Sequence, residues 1–254
     1  MMDESASANP LTAKLRTIAD LSPRDSATLD RLVQDVRDIP SGGTIIDEGD
    51  RPTRIHLVLA GWVARMKYLS GGSRQITGLL LPGDFCNLHA TILDEMDHSM
   101  TALVDAKVAF VAQDLLDDVL FSSRAVTRAF WWSTLLDEAI VRAWLVSVGR
   151  RSGLARVAHL FCELQVRSTR VGLATGDTMV VPLTQEQLGD ATGLTSVHVN
   201  RMLRTLRDAE VIDVYRGRIR IIDSSELRRI AGFDPTYLHG PETGAGKSQH
   251  RPRG

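Results

Sequence analysis

The chain has 254 residues, 43% of them hydrophobic and 24% charged, a composition that supports one or two packed domains and excludes a fibrous or low-complexity protein. No apolar run of about 18 residues and no leader of basic, apolar and small residues is present, so neither a membrane span nor secretion is expected, and the cytosol is the expected compartment. The net charge of −1 hides an asymmetry: residues 1–149 carry 14 Lys and Arg against 20 Asp and Glu, whereas residues 150–220 carry 11 Arg against 7 acids, a basic excess of the kind phosphates attract.

Residues 1–10 are rich in Ser, Ala and Asn and are expected to be loose, within an N-terminal segment 1–20. A helical pattern runs from Leu11 to about Val36, broken at Ser22-Pro23, where Ser22 can cap and Pro23 occupies the first helical position. From Pro40 to about Phe110 short apolar runs alternate with glycine turns. Thr44–Ile46, Ile55–Leu59, Trp62–Leu69, Gln75–Leu81 and Ala102–Val104 read as strands, punctuated at Gly42-Gly43, Gly49-Asp50, Gly61, Gly71-Gly72 and Gly83-Asp84. That spacing predicts an antiparallel sandwich or barrel over 21–121, ending in a short helix at 113–121. The two cysteines, Cys86 and Cys162, cannot supply a Cys₄ zinc site or an iron–sulfur cluster, and their apolar surroundings predict buried thiols.

A long helix is expected over 122–149, with Gly149 as its stop. Ala129, Trp132, Leu136, Ala139, Ala143 and Val146 recur at the coiled-coil period and are predicted as a dimer seam, although an intramolecular core helix has the same period. Ile140, Trp144 and Val148 form a second flank that can pack on the chain's own barrel. The next helix, Ser152 to about Val166, presents Leu154, Val157, Leu160, Phe161 and Leu164 as a buried face.

The segment Leu183–Leu203 carries the most specific signal. Thr184 and Gln187 form a capping box that starts a helix, Gly193 supplies the positive φ of a tight turn, and Thr195 caps a second helix over 195–207. Leu188, Leu194, Val199 and Met202 fall where two steeply crossing helices bury apolar side chains, and Gly189 is small where they come closest. Ser196, Val197, His198, Asn200, Arg201 and Arg204 are left facing outward, short, hydrogen-bonding and basic side chains suited to base edges and phosphates. With Thr184, Gln185 and Thr195 at the helix starts, they are the candidate contacts to double-stranded DNA. An ordinary αα-hairpin with a solvated face is the competing reading. Val211–Tyr215 and Arg218–Ile222 then alternate apolar and polar residues around Arg216-Gly217, a β-hairpin in which Ile212 and Val214 meet Ile219 or Ile221. Arg216, Arg218 and Arg220 would stand at its tip or outer face, where a wing touches the phosphate backbone. The DNA-binding unit is thus expected over 150–235, with 236–254 a Gly- and Pro-rich disordered tail.

Taken in order, the glycine-punctuated roll, the long helix and the winged helix resemble a Crp/Fnr-type transcription regulator from about residue 20 to 235. The likeness rests on Gly49-Asp50, Gly61, Leu81-Pro-Gly-Asp-Phe85 and the Thr184–Leu203 hairpin. It implies an α+β protein: an N-terminal antiparallel β-roll of jelly-roll type, a dimerisation helix and a C-terminal winged helix-turn-helix. It also implies a homodimer on an inverted repeat, an effector bound between roll and long helix that reorients the recognition helices, and contact with RNA polymerase if the protein is an activator. On this likeness the effector pocket is expected around Gly83, Phe85, Cys86, Asn87, Leu88, His89, Met100 and Thr101.

Departures from the family pattern narrow the effector. Met100-Thr101 stand where cyclic-AMP binders carry the Arg-Ser pair that holds the cyclic phosphate, and Asp94, Glu95 and Asp97 lie nearby, so cyclic AMP is disfavoured. The oxygen-sensing branch uses an N-terminal cysteine cluster, and residues 1–40 contain no cysteine. On the recognition helix the family's Glu-x-x-Ser/Gly-Arg pattern becomes Val197-His-Val-Asn200-Arg201: the Arg is kept and the Glu replaced. His89 and His98 among the acids match no compact metal motif. A haem or gas sensor of the same family and a cupin-like metalloenzyme bearing a DNA-binding domain are the alternatives. The latter lacks the His-x-His that cupins use. No cofactor is predicted, and the effector is unassigned.

Overall fold

The structure is a computed structural model that describes residues 9–88, 92–93, 95–215 and 218–240. It begins with two short helices, α1 (Pro10–Arg16) and α2 (Pro23–Asp30). At α2 the expected start is realised: Ser22 Oγ accepts from the Asp25 amide, Asp25 Oδ2 accepts from the Ser22 amide, and Pro23 has no N–H to leave unpaired. Residue 10 is not loose, since α1 buries Leu11 and Leu15 completely; residues 1–8 lie outside the described residues.

The roll is two facing antiparallel sheets. β1 (Val36–Ile39), β7 (Ala106–Ala112) and β3 (Arg54–Ala60) pair in the order β1-β7-β3. β2 (Thr44–Ile46), β6 (Ser99–Ala102), β4 (Val63–Tyr68) and β5 (Arg74–Leu80) pair as β2-β6-β4-β5. Three readings of the sequence shift here. The helical pattern expected to reach Val36 stops in a 3₁₀ turn at Arg31–Val33, because Val36–Ile39 pair with β7 instead. β7 was not legible, as its alanines carry little strand propensity and its conformation comes from pairing on both sides. The strand expected at Ala102–Val104 ends at Ala102, since it starts three residues earlier, at Ser99, and pairs with β4 from there.

After α3 (Gln113–Leu120) comes the long helix α4 (Arg124–Arg150). Gly149 does not stop it: the helix runs through the glycine and breaks at Arg151, which is extended, and Ser152 caps α5 (Gly153–Arg170) through its Oγ to the Ala155 amide. β8 (Ala174–Thr175), β9 (Thr178–Val180), α6 (Gln185–Thr192), α7 (Ser196–Asp208), β10 (Ile212–Tyr215), β11 (Arg218–Ile221) and α8 (Ser224–Ala231) complete the second unit, with a sheet of order β10-β11-β9-β8. Residues 236–240 do not belong to a loose tail, because Pro235–Leu238 forms a 3₁₀ turn that buries Leu238 and packs beside α5 through Tyr237; residues 241–254 lie outside the described residues.

One apolar core runs through both units. Ile76, Leu79 and Leu81 of the roll join Leu136, Ile140 and Trp144 of α4, Phe161 and Leu164 of α5, and Leu188 and Ala191 of α6. Of the second flank, Ile140 faces Leu81 and Asp84 of the roll, whereas Trp144 faces the winged domain, its Nε1 donating to Glu163 of α5, and Val148 is half-buried beside Gly193. A separate cluster fills the roll's interior with Ile46, Val58, Val63, Cys86, Met96 and Met100.

His159 on α5 is buried between the edge of Phe233, 5.2 Å away, and the face of Tyr237, 5.9 Å away. Burial, with the charge of Arg151 nearby, pushes its imidazolium down to about 4. The unfolded chain takes up this proton at an ordinary His value, so the stabilisation is complete above pH 6.5 and is lost as pH falls from there toward 4, by up to about 3 kcal/mol. Glu163, raised by burial, titrates with the opposite sign. Thermal melts of wild type and His159→Gln are expected to diverge across that window, the variant losing less stability; parallel curves would show that His159 is not held neutral.

Candidate nucleic-acid interface

The hairpin of helices forms from local signals. Thr184 and Gln187 close both bonds of their capping box, and Gly193 ends α6 in the left-handed region at φ 66°. Thr195 caps α7 through the His198 amide at 3.3 Å. A Cβ on Gly189 would strike the Leu194 carbonyl oxygen, so no larger residue fits between the helices. Val199 and Leu206 are fully buried beneath α7 and Met202 half-buried, while Leu188 closes the crossing from α6.

The opposite face of α7 is open. Ser196, Val197, His198, Asn200, Arg201 and Arg204 are all exposed, and Thr184, Gln185 and Thr195 lie exposed at the helix starts. Val197 is 78% exposed at the helix's first turn, an apolar side chain offered to solvent where a thymine methyl could cover it. Arg201 and Arg204 make no ion pair among the described residues, so their guanidiniums are uncommitted. Asn200 Nδ2 donates to Gln185 Oε1 at 3.2 Å, which ties the recognition helix to the helix before it and leaves one amide proton and Oδ1 for a base.

The wing follows as its alternation predicted. Ile212 pairs with Ile221 and Val214 with Ile219 on the inner face, while Arg218 and Arg220 stand exposed outside. Arg216 and Gly217 lie outside the described residues. Sequence reasoning missed the second half of this sheet: β9 pairs with β11, placing Thr178 and Val180 beside Arg220 and Arg218.

The expected effector residues do not gather around one cavity. Gly83 turns at φ 90° beneath the Pro10 carbonyl, and Phe85 tilts against Phe130 of α4 at 5.3 Å. Cys86 and Met100 are fully buried in the roll's own core, and burial pushes the Cys86 thiol up to about 12. Asn87 is spent on the backbone, accepting from the His56 amide at 2.8 Å and donating to the Arg54 carbonyl at 2.9 Å. Leu88 and Thr101 are half-buried, and His89 and Asp94 lie outside the described residues. Arg65, opposite Met100 in register, is the nearest cation in the ladder, but its Nη2 donates to Asp137 of α4 at 2.7 Å. Open space lies instead beside Trp132, in grooves of about 690 and 560 Å³ that share Ile18, Asp20 and Trp132.

The seam needs correction. Ala129 and Leu136 are buried in the chain's own cores and Ala139 within its fold, Trp132 and Ala143 are half-buried, and Val146 alone of that set is exposed, at 52%. The apolar face left open on α4 is turned roughly a third of a turn from the expected one. It carries Trp131 at 65%, Leu135 at 52% and Leu145 at 70% exposure, with Val141, and the Arg142–Glu138 pair at 3.0 Å in its middle.

A β-roll joined by a long helix to a winged helix-turn-helix with an uncommitted basic face defines a DNA-binding regulator. Comparison with known proteins gives the family. The Crp-like helix-turn-helix domain matches residues 155–230 and the cyclic nucleotide-binding domain residues 36–123. The chain is 26% identical over 212 residues to the transcriptional activator protein FnrL of Cereibacter sphaeroides, covering 82% of this chain and 84% of that protein. It is 27% identical over 219 residues to the nitrogen fixation regulation protein FixK of Bradyrhizobium diazoefficiens, covering 85% and 91%. The solved structure of FixK2 from Bradyrhizobium japonicum matches with a TM-score of 0.70 at 25% identity, over 78% of this chain and 98% of that one. The chain belongs to the Crp/Fnr-type transcription regulators, a family of regulators rather than enzymes, which sets the cupin-like reading aside.

Proposed function

We propose that the protein acts as a homodimer that reads an inverted repeat through the outer face of α7, with each wing on the flanking phosphates and the activity set by a signal received in the roll. The carrying observation is the composition of that face: Val197, Asn200, Arg201 and Arg204 exposed side by side on a helix whose other face is buried. Arg201 can fork onto guanine O6 and N7, Asn200 suits adenine, and Val197 cannot accept a hydrogen bond from cytosine N4 but can pack on a thymine methyl. The half-site therefore keeps a guanine and differs from the family's usual site at the base that Glu would read. The unburied stripe of α4 supports the dimer, which would set the two recognition helices about 34 Å apart, one turn of DNA.

The roll's likeness to a cyclic nucleotide-binding domain supports a sensing role, while Met100 and Thr101 offer no cation for a cyclic phosphate. FnrL is named a transcriptional activator, and activation through contact with RNA polymerase is proposed here on that likeness. Selection from a random duplex library tests the whole reading. The expected outcome is an inverted repeat with a guanine in each half-site. Recovery of the family's usual half-site, or of no enriched sequence, contradicts it.

A further inference from the structure

The winged domain is held on the roll at both ends of one strand. At the start of β5, Arg74 Nε donates to Asp190 Oδ2 at 2.6 Å and its Nη2 to Glu186 Oε1 at 3.1 Å, while Gln75 Nε2 donates to the Asp190 carbonyl at 2.6 Å. Both acids lie on α6, the helix that carries the turn into α7. At the far end, Arg167 of α5 donates Nη2 to the Leu79 carbonyl at 2.6 Å and to Asp84 Oδ2 at 3.1 Å, and Nη1 to Glu163 Oε1 at 3.2 Å. Between the two ends Ile76 and Leu79 share the core with Leu188 and Ala191.

The inner end is a buried chain of four charges. Lys14 of α1 pairs with Asp84, Asp84 with Arg167, and Arg167 with Glu163, which also accepts from Trp144 Nε1 at 3.0 Å and Tyr237 OH at 2.8 Å. Burial alone would raise Asp84, but Lys14 and Arg167 hold it below the usual carboxylate range. A buried ionic chain is a poor source of stability, since an apolar cluster of the same volume does as well; what it specifies is register, because a misaligned arrangement strands unpaired charge. Asp84 is stitched in turn to the roll: its carbonyl accepts from the Val58 amide at 3.0 Å, and its Oδ2 accepts from the Leu81 amide at 2.8 Å.

We propose that β5 is the mount that aims the recognition helix, and that Arg74 and Arg167, through Asp190 and Asp84, are positioning residues for DNA binding. The proposal rests on the DNA-reading role of α7. In a two-fold dimer the mount fixes how far apart and at what rotation the two α7 helices stand, so it governs the spacing between half-sites and not the bases read within one.

The full-length dimer is the material for the test. Arg74→Glu and Asp190→Arg are made singly and together; both sites are partly exposed, and the double variant restores the pair with its charges exchanged. The probes are duplexes carrying the selected half-sites at the preferred spacing and with two base pairs added or removed, a change that turns one half-site by roughly 70° and is expected to weaken wild type about tenfold or more. Each single variant is expected to discriminate by about twofold or less with its base preference unchanged, and the double variant to recover the wild-type discrimination. Spin labels at Thr53→Cys and Thr205→Cys, in dimers with at most one labelled protomer, read the same geometry without DNA. Cys86 and Cys162, both pushed up to about 12 by burial, stay unlabelled. A narrow distance distribution is expected in wild type and the double variant, and a broad one in the single variants. Single variants that keep the wild-type spacing discrimination overturn the proposal, whatever the label distances do, and so does a double variant that behaves like the singles. If wild type binds no duplex, the DNA-binding reading is what fails, and unchanged label distances in the singles would then overturn the mount as well.

Discussion

Replacing Leu135 and Leu145 together by Glu is expected to turn the dimer into a folded monomer and to weaken binding to a two-half-site operator by about 10²–10⁴-fold. Both side chains already face solvent within the chain, so the substitutions remove no internal packing. In the dimer they would place four carboxylates in an apolar seam beside Glu138, where the neighbouring cation, Arg142, is already paired with Glu138. Losing the dimer loses the effective concentration with which the second half-site is met, which is where the factor comes from. Sedimentation and operator titration measure both effects. Ala139→Glu is the informative contrast. Ala139 is buried within the chain's own fold, so a charge there is expected to damage folding rather than association. A double Leu variant that remains dimeric would show that this face of α4 is not the seam.

Phe161→Ala is expected to cost about 3–5 kcal/mol and to lower the melting midpoint by roughly 6–20 °C. Phe161 is among the largest fully buried side chains and belongs to the core that α5 shares with the roll and α4. Its removal leaves a cavity at the junction of α5 with the other helices of the winged domain, so DNA affinity is expected to fall before the roll melts. Calorimetry with parallel DNA titration checks the order of the two losses. A change under about 1 kcal/mol would mean that this junction collapses freely and is not a packed core.

The helix-turn-helix was legible because every signal in it is local. A capping box, one left-handed glycine, one small residue at the crossing and the 3.6-residue period specify two helices within 24 residues, and Arg201 points outward as a consequence. The β-hairpin wing was legible for the same reason. The seam was not. Periodicity tells which residues of α4 share a stripe, but not which stripe the chain's own roll will cover. Ala129 and Leu136 are buried by the chain itself, whereas Leu135 and Leu145 are apolar and exposed, the stripe proposed as the seam. The effector residues failed similarly: Cys86 and Met100 sit in a family motif, yet their side chains complete the roll's core. The anchors of the winged domain could not be read at all, since Arg74 and Asp190 lie 116 residues apart and Lys14 and Asp84 lie 70 apart, with no pattern linking them.

Methylation interference at guanine N7, performed with wild type and Arg201→Ala on the selected operator, tests the insertion of α7 into the major groove most directly. Wild type is expected to be blocked by methylation of one guanine in each half-site. The variant should lose about 1–3 kcal/mol of affinity and become indifferent to methylation at that guanine alone. An Arg201→Ala protein that binds as tightly as wild type and remains blocked at the same guanines would contradict the account.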